Sequence, residues 1–178
     1  DSASLIENLD SIKLHFERNL ETGKPEIFLN DVNVESEIRG LKISSFVSTV
    51  AAIREVRVKL VSEQREMGKK GGVVMDGRDI GSVVFPDAQL KLFVTSDPEI
   101  RAQRRHKEML ATNPAITLEE IKTNLVERDL IDSTRKESPL IRTSDAVLID
   151  NSHLSPEEQL NIAIELVNGK IASYSDYQ

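Results

Sequence analysis

Residues 71–88 read GGVVMDGRDIGSVVFPDA, and this stretch points to the fold class. A short run, residues 73–76, is apolar up to its last residue, Asp76, and follows a glycine pair. Asp76 also opens the polar group Asp76-Gly77-Arg78-Asp79. A short apolar run bounded by turn residues is typical of a buried parallel strand. Ligands of open parallel sheets bind beyond the carboxyl ends of the strands, so this polar group is predicted to face a ligand.

The residue types after the predicted strand suit the binding of an anion. Gly77 allows a sharp turn or the close approach of a ligand. Arg78 offers a planar fork of donors that matches phosphate or carboxylate, and Asp79 can accept hydrogen bonds from an amine or a hydroxyl. A turn with a local Arg–Asp ion pair fits the same spacing. The spacing alone supports the two interpretations equally.

The chain after this stretch alternates between strand and helix patterns. Apolar runs predict strands over residues 89–95 and 146–150. Helix-start signals stand at Asp97-Pro98, at Thr117 with Glu three residues later, and at Ser155-Pro156. This alternation predicts an α/β protein with a parallel-sheet core.

The first part of the chain has a different pattern. Apolar and polar residues alternate from Ile12 to Phe16, and turn residues separate further short apolar runs up to residue 34. This pattern predicts a small antiparallel unit of three strands. From residue 44 to residue 67 apolar residues recur at intervals of three and four, which predicts a helix.

Composition narrows the classes of protein. The 178 residues are 39% hydrophobic and 30% charged, which fits one globular domain with a small insert. The net charge of −7 argues against nonspecific binding to nucleic acid. The absence of cysteine excludes disulfides, thiolate metal sites and cysteine nucleophiles, and it fits a cytoplasmic protein. No apolar run approaches the length of a membrane span, and no signal peptide opens the chain.

The basic residues are distributed unevenly. Nine basic and nine acidic residues lie in residues 97–142, so the whole net charge of −7 resides in the rest of the chain. Helical spacing places Arg128, Asp132 and Arg135 on one face and gathers the arginines of residues 101–105 on another. Either set can be a solvated surface of ion pairs, or it can surround an anionic ligand. The spacing slightly favours ion pairs.

Two familiar site types are not predicted. The three histidines are far apart, so neither a metal site nor a catalytic triad is indicated. Lys24 and Lys69 each follow a glycine, but a P-loop also needs a glycine where Arg18 and Glu63 stand. The 178 residues therefore contain no phosphate-cradling P-loop motif.

The stretch 71–88, together with RAQRR at residues 101–105 and ERD at residues 127–129, resembles the central signature of the bacterial cytidylate kinase family. The resemblance covers nearly the whole chain. It implies a P-loop nucleoside monophosphate kinase fold with a parallel-sheet core. Residues 1–43 would be the remnant of a strand-rich nucleotide-binding insert. Residues 44–178 would form the core, with a helical lid at about residues 101–140.

The resemblance also implies a reaction, in which the γ-phosphate of ATP passes to CMP or dCMP. The implied partners are these nucleotides, with Mg²⁺ accompanying ATP but no metal ligand among the 178 residues. A cytoplasmic monomer that binds neither nucleic acid nor membrane is expected. Pyrimidine metabolism is the implied setting.

By motif position, the resemblance assigns the cytosine base to Ser48, Arg57 and Asp79. Ser48 and Arg57 are nine residues apart, which places them on opposite faces of one straight helix. If both contact the base, the helix must break between them. The predicted break is at Ile53-Arg54.

The remaining family positions concern the phosphates and the ribose. Arg78 resembles a ligand of the CMP phosphate, and Asp132 resembles the acid that accepts the ribose hydroxyls, with Arg135 beside it. Arg128 and Arg104 resemble lid arginines that close on the phosphates. The resemblance therefore names Arg78, Arg104 and Arg128 as the catalytic residues.

The sequence departs from the family pattern at its N-terminal end. The family begins with a strand, the P-loop, a helix and an early substrate arginine, which these 178 residues do not show. One expectation is that this segment belongs to the protein and precedes residue 1. The alternative is a truncated, non-catalytic nucleotide-binding protein. A third class, an acidic α/β interaction module with surface ion pairs only, stays open at this point.

Overall fold

The computed structural model describes residues 2–175, and strands and helices follow one another along the chain. Its α-helices are α1 (Ser2–Glu7), α2 (Leu41–Ala51), α3 (Arg54–Gly68), α4 (Pro98–Leu110), α5 (Leu118–Thr134) and α6 (Pro156–Ser175). Its strands are β1 (Leu14–Arg18), β2 (Pro25–Leu29), β3 (Val32–Asn33), β4 (Leu92–Thr95) and β5 (Val147–Asp150).

The predicted antiparallel unit is confirmed. Strands β1, β2 and β3 form one antiparallel sheet in sequence order, and Phe16 lies opposite Ile27 in its register. The hairpin between β2 and β3 turns on Asn30 and Asp31, whose φ angles are 47° and 66°. Two successive left-handed residues suit a two-residue hairpin because their twist matches that of the flanking strands.

The predicted helix break is confirmed as well. Helix α2 ends at Ala51 and helix α3 begins at Arg54, with Ile53 between them in extended backbone at φ −74° and ψ 122°. The break changes the direction of the chain within two residues. Ser48 on α2 and Arg57 on α3 are therefore both buried, at 2% and 9% exposed.

A parallel strand pair and three helices, α4, α5 and α6, form the second half of the structure. Strands β4 and β5 pair in parallel, with Val94 opposite Ile149. Helices α4 and α5 pack on each other around a small apolar core. The core consists of Ala102, Met109, Ile116 and Ile121. No helix within residues 2–175 is long and apolar enough to cross a bilayer.

The helices of this half begin at the predicted residues. The Asp97 side chain accepts hydrogen bonds from the backbone amides of the first turn of α4, with Pro98 as the first helical residue. Thr117 forms a reciprocal capping box with Glu120 at the start of α5. Ser155 Oγ accepts from the Glu158 amide at 3.2 Å. Such caps satisfy amides that have no partner within the helix.

The strand predicted over residues 73–76 is wrong. These residues pair with no strand within the described part of the chain, and Val74 is fully exposed. An apolar run becomes a strand only where a neighbour completes its hydrogen-bond ladder. After Asp79 the chain enters a π-helical turn, Ile80–Val84, whose carbonyls at Val83 and Val84 accept hydrogen bonds from Arg65.

Ile121→Ala tests the core between α4 and α5. Ile121 is 1% exposed, so truncation leaves a cavity and is expected to lower the free energy of unfolding by about 2–5 kcal/mol. Leu130 lies on the same helix but is 61% exposed, so Leu130→Ala should change it by less than about 0.5 kcal/mol. Urea denaturation of both variants measures the difference. Equal losses would contradict this placement of the core.

Candidate active site

A buried ion pair joins helix α3 to the turn that follows residues 73–76. Arg57 Nη2 donates to Asp79 Oδ2, and the two residues are 9% and 4% exposed. Burial, followed by the positive charge of Arg135, lowers the pKa of the Arg57 guanidinium. Its Nε is buried and has no hydrogen-bond partner within residues 2–175. The sequence could propose Asp79 as an acceptor, but only the fold supplies Arg57 as its partner.

A second buried carboxylate lies between two arginines. Arg78 Nε donates to Asp132 Oδ2 at 3.1 Å, and Arg135 Nη1 donates to Asp132 Oδ1 at 3.3 Å. Asp132 is 2% exposed and lies in the last turn of α5, while Arg135 is the first residue beyond the helix. The Arg78 side chain is 42% exposed, so part of it faces outward from the pair. The predicted face of Asp132 and Arg135 therefore points inward.

Arg128 lies one turn before Asp132 on α5. Its Nη1 donates to Ser44 Oγ on helix α2 at 2.9 Å. Burial is the main cause that lowers the pKa of Arg128, and the positive charge of Arg78 adds to it. The protein therefore holds this cation in an environment that disfavours its charge, which is typical of a site that receives an anion.

Unsatisfied donors mark the interior of this region. Of the nine buried polar atoms that find no hydrogen-bond partner among residues 2–175, four lie on residues of this region. Buried polar groups are nearly always paired, so a polar ligand at this point explains them better than packing does. The four atoms are Ser48 Oγ, Arg57 Nε, Arg128 Nε and Arg135 Nη2.

We define the arginine cluster by four arginines and two carboxylates. Their formal charges sum to +2, and the electrostatic coupling of Arg57 to Arg135 and of Arg128 to Arg78 makes them one electrostatic unit. The cluster can bind a ligand that carries about two negative charges and several acceptor groups. Its members are Arg57, Arg78, Arg128, Arg135, Asp79 and Asp132.

Arg104 lies with another part of the molecule. Its guanidinium donates to Asn151 Oδ1 at 3.1 Å and to the carbonyls of Asn151, Ser152 and Leu154 at 2.8 to 3.3 Å. Helix α4 is thereby tied to the loop after β5. These contacts are not with the arginine cluster, and the phosphate role of Arg104 stays a prediction.

The neighbours of Arg104 form ion pairs. Arg101 Nη2 lies 2.6 Å from an Asp129 carboxylate oxygen, and Arg105 Nη1 lies 3.2 Å from one of Glu108. For these two arginines the sequence left an ion-pair ladder open as one of two interpretations, and this is the one observed. Arg101 and Arg105 face different acids, and Arg104 faces the loop after β5. The three arginines of this segment therefore do not converge on one anion.

Three features of the site were not predicted from the sequence. Ser44 and Asn124 contact each other near Arg128, and the Ser138 carbonyl accepts a hydrogen bond from Arg135 Nε at 2.9 Å. Ser44 stands four residues before Ser48, so a helical face shared with Ser48 was an available signal. Asn124 stands four residues before Arg128, so a face of α5 shared with Arg128 was an available signal there too, whereas nothing local pointed to Ser138.

The donor set of the cluster fits phosphate groups and does not fit a magnesium ion. Mg²⁺ prefers free carboxylate oxygens and water, whereas the carboxylates of Asp79 and Asp132 already accept hydrogen bonds from guanidinium groups. Residues 2–175 contain no group of three or more acidic or histidine side chains suited to a metal. No magnesium ligand is therefore assigned to these residues.

Comparison with known proteins adds the family. The family model described as cytidylate kinase matches residues 1–169. The cytidylate kinase of Flavobacterium psychrophilum is 54% identical over 164 residues, which are 92% of this chain and 73% of that protein. That of Parabacteroides distasonis is 51% identical over 93% of this chain and 72% of its own length. That of Bacteroides thetaiotaomicron is 51% identical over 89% and 69%. The chain belongs to the cytidylate kinase family.

Proposed function

We propose that this protein is a nucleoside monophosphate kinase that transfers the γ-phosphate of ATP to CMP, and to dCMP, giving the diphosphate. The observation that carries the proposal is the arginine cluster, a group of four cations and two buried carboxylates with donors that find no partner within residues 2–175. Membership in the family supports this enzyme over a non-catalytic nucleotide-binding protein and over an interaction module.

The charge of the cluster matches that of the acceptor nucleotide. A phosphate monoester carries about −1.5 to −2 at neutral pH. Four arginines and two aspartates leave +2, so binding CMP neutralises the group. Arg78 is the arginine whose side chain is most open, and we assign the CMP phosphate to it. Its planar fork can hold two phosphate oxygens at once.

The base site is proposed at Ser48, Arg57 and Asp79. Cytosine carries an exocyclic amine that a carboxylate accepts, with acceptor atoms beside it that a guanidinium and a hydroxyl can meet. Asp79 supplies the carboxylate, and Arg57 Nε and Ser48 Oγ are buried donors that find no partner in the part of the chain that the structure describes. Uracil has a carbonyl in place of the amine, which an ionised carboxylate repels.

Asp132→Ala tests the proposed ribose contact. The carboxylate is proposed to accept hydrogen bonds from the ribose hydroxyls, and it aligns Arg78 and Arg135. Because a hydrogen bond to a charged group contributes more than a neutral one, its loss is expected to raise the Kd of CMP about 10-fold or more. Titration calorimetry measures the change. Glu119→Ala, at an exposed position on the same helix, is the matched control. An unaltered CMP affinity would remove Asp132 from the site.

The reaction needs positioning and neutralisation of charge more than proton transfer. The acceptor oxygen of CMP is already anionic at neutral pH, so no strong general base is required. Arg78 would hold the acceptor phosphate, and Arg128 would contact the same phosphate and neutralise the charge that spreads over it and the transferring group. ATP brings Mg²⁺, which neutralises its phosphate oxygens. Arg104 stays a candidate for a lid role, although its contacts here are with the loop after β5.

The domain division and the cellular setting stay predictions. Residues 1–43 contain the antiparallel sheet that we assign to a nucleotide-binding insert, and helices α4 and α5 lie within the proposed lid at about residues 101–140. We expect the protein to be a cytoplasmic monomer.

Two measurements on one sample test the proposed function. Titration calorimetry should show that CMP and dCMP both bind with higher affinity than UMP. A coupled assay for ADP should then show turnover with CMP and ATP. Binding without turnover would support the non-catalytic alternative. No binding of any nucleotide would refute the proposal.

A further inference from the structure

A chain of side-chain hydrogen bonds connects helix α2 to helix α5 beside the arginine cluster. Ser44 Oγ lies 2.8 Å from Asn124 Oδ1, and Arg128 Nη1 donates to the same Ser44 oxygen at 2.9 Å. Asn124 Nδ2 donates to Ser45 Oγ at 3.2 Å. Ser44 and Asn124 are 7% and 8% exposed, so these contacts lie inside the molecule.

The chain of bonds fixes the direction of the Ser44 hydroxyl. A serine hydroxyl has one hydrogen to donate and two lone pairs that accept. Asn124 Oδ1 accepts that hydrogen, so the lone pairs of Ser44 Oγ turn toward the guanidinium of Arg128. The amide of Asn124 is itself oriented, because its nitrogen donates to Ser45 while its oxygen accepts from Ser44. The asparagine thus acts on Arg128 through the serine.

We propose that Ser44 and Asn124 are a positioning pair that aims the guanidinium of Arg128 at the phosphate of the bound nucleotide. The inference rests on the proposed function and names two residues that the motif positions do not include. Ser48, assigned to the base, is one helical turn from Ser44 on α2. The pair therefore couples the helix that binds the base to the helix that carries the phosphate-binding arginine.

The electrostatics show why Arg128 needs such support. Arg78 and Arg105 are near enough to repel the Arg128 cation, whereas Asp132 and Asp129 attract it, and Arg128 Nε has no hydrogen-bond partner within residues 2–175. These opposing charges do not fix the direction of a long, flexible cationic side chain, so a fixed acceptor is needed to hold it. Ser44 Oγ is the acceptor that holds Nη1, and it lies on a different helix.

The test compares CMP with cytidine, which has the same base and ribose but no phosphate. Ser44→Ala removes the acceptor of Arg128. In the full protein this variant is expected to weaken CMP binding about 10-fold while cytidine binding changes less than about twofold, since only the charged contact is lost. Calorimetry measures CMP, and competition with CMP measures cytidine. Thr49→Ala, at an exposed hydroxyl on the same helix, is the control.

Asn124→Ala gives a second, independent variant. Because Asn124 acts through Ser44, it should produce the same selective loss for CMP, and the double variant should lose no more than Ser44→Ala alone. Equal weakening of CMP and cytidine, or additive losses in the double variant, would overturn the proposal and leave only helix packing. Unchanged CMP affinity in both single variants would overturn it too. Failure of the unmodified protein to bind CMP would instead refute the proposed function.

Discussion

Arg128→Ala is expected to lower the turnover of CMP phosphorylation by about 10²–10³-fold, the usual effect of losing one preorganised donor to developing charge. The fold should survive the change. Burial and the charge of Arg78 disfavour the Arg128 cation while the charge of Asp132 favours it, so its removal should change the free energy of unfolding little. The residue is therefore expected to contribute to rate and not to stability.

Steady-state kinetics and thermal unfolding of Arg128→Ala separate the two contributions. Arg142→Ala is a suitable control, because Arg142 is an exposed arginine outside the proposed insert and lid that donates to the Ala146 carbonyl. It should leave turnover unchanged. A large fall in the melting temperature of Arg128→Ala with little change in turnover would show that the arginine has a structural role instead.

Asp79→Asn is expected to have the second large effect, on stability and on the choice of base together. The substitution leaves the Arg57 guanidinium buried without its counter-charge, which should cost about 3 kcal/mol of unfolding free energy. An asparagine amide can also donate to the carbonyl of uracil. The preference for CMP over UMP is therefore expected to fall about 10-fold or more.

Chemical denaturation and the ratio of kcat/KM for CMP and UMP measure the two effects of Asp79→Asn. Glu66→Gln is the matched control, since Glu66 forms an ion pair with Lys69 in which both side chains are 68% exposed. It should alter neither the base preference nor, to a comparable degree, the denaturation midpoint, because exposed ion pairs contribute little. Unchanged selectivity between CMP and UMP would refute the assignment of Asp79 to the base.

Local chemistry explains why much of the fold was predictable. The caps at Asp97, Thr117 and Ser155 satisfy amides within the next three residues, so their signals lie in adjacent sequence. The break at Ile53 followed from the family resemblance, which implies that Ser48 and Arg57 contact the same base, together with a nine-residue spacing that places them on opposite faces of a straight helix. Residues 73–76 failed as a strand because pairing depends on a distant neighbour, which an apolar run does not specify.

The site divides in the same way. The sequence predicted that Arg128, Asp132 and Arg135 share a helical face, because residues on one face recur within one or two turns. It also showed that the site is rich in arginine. Motif resemblance pointed to the nucleotide, and family membership agrees with it. Residue order therefore carried the fold class and the family, and the roles that it suggests for the side chains of the site stay predictions.

Tertiary packing alone decided which partner each charge received. Arg57 meets Asp79 across 22 residues, Arg78 meets Asp132 across 54, and Ser44 meets Asn124 across 80. It also turned Arg104 toward the loop after β5, whereas Arg101 and Arg105 formed ion pairs. Spacing can place a side chain on a helical face, but only the packing of helix against helix determines what lies opposite that face.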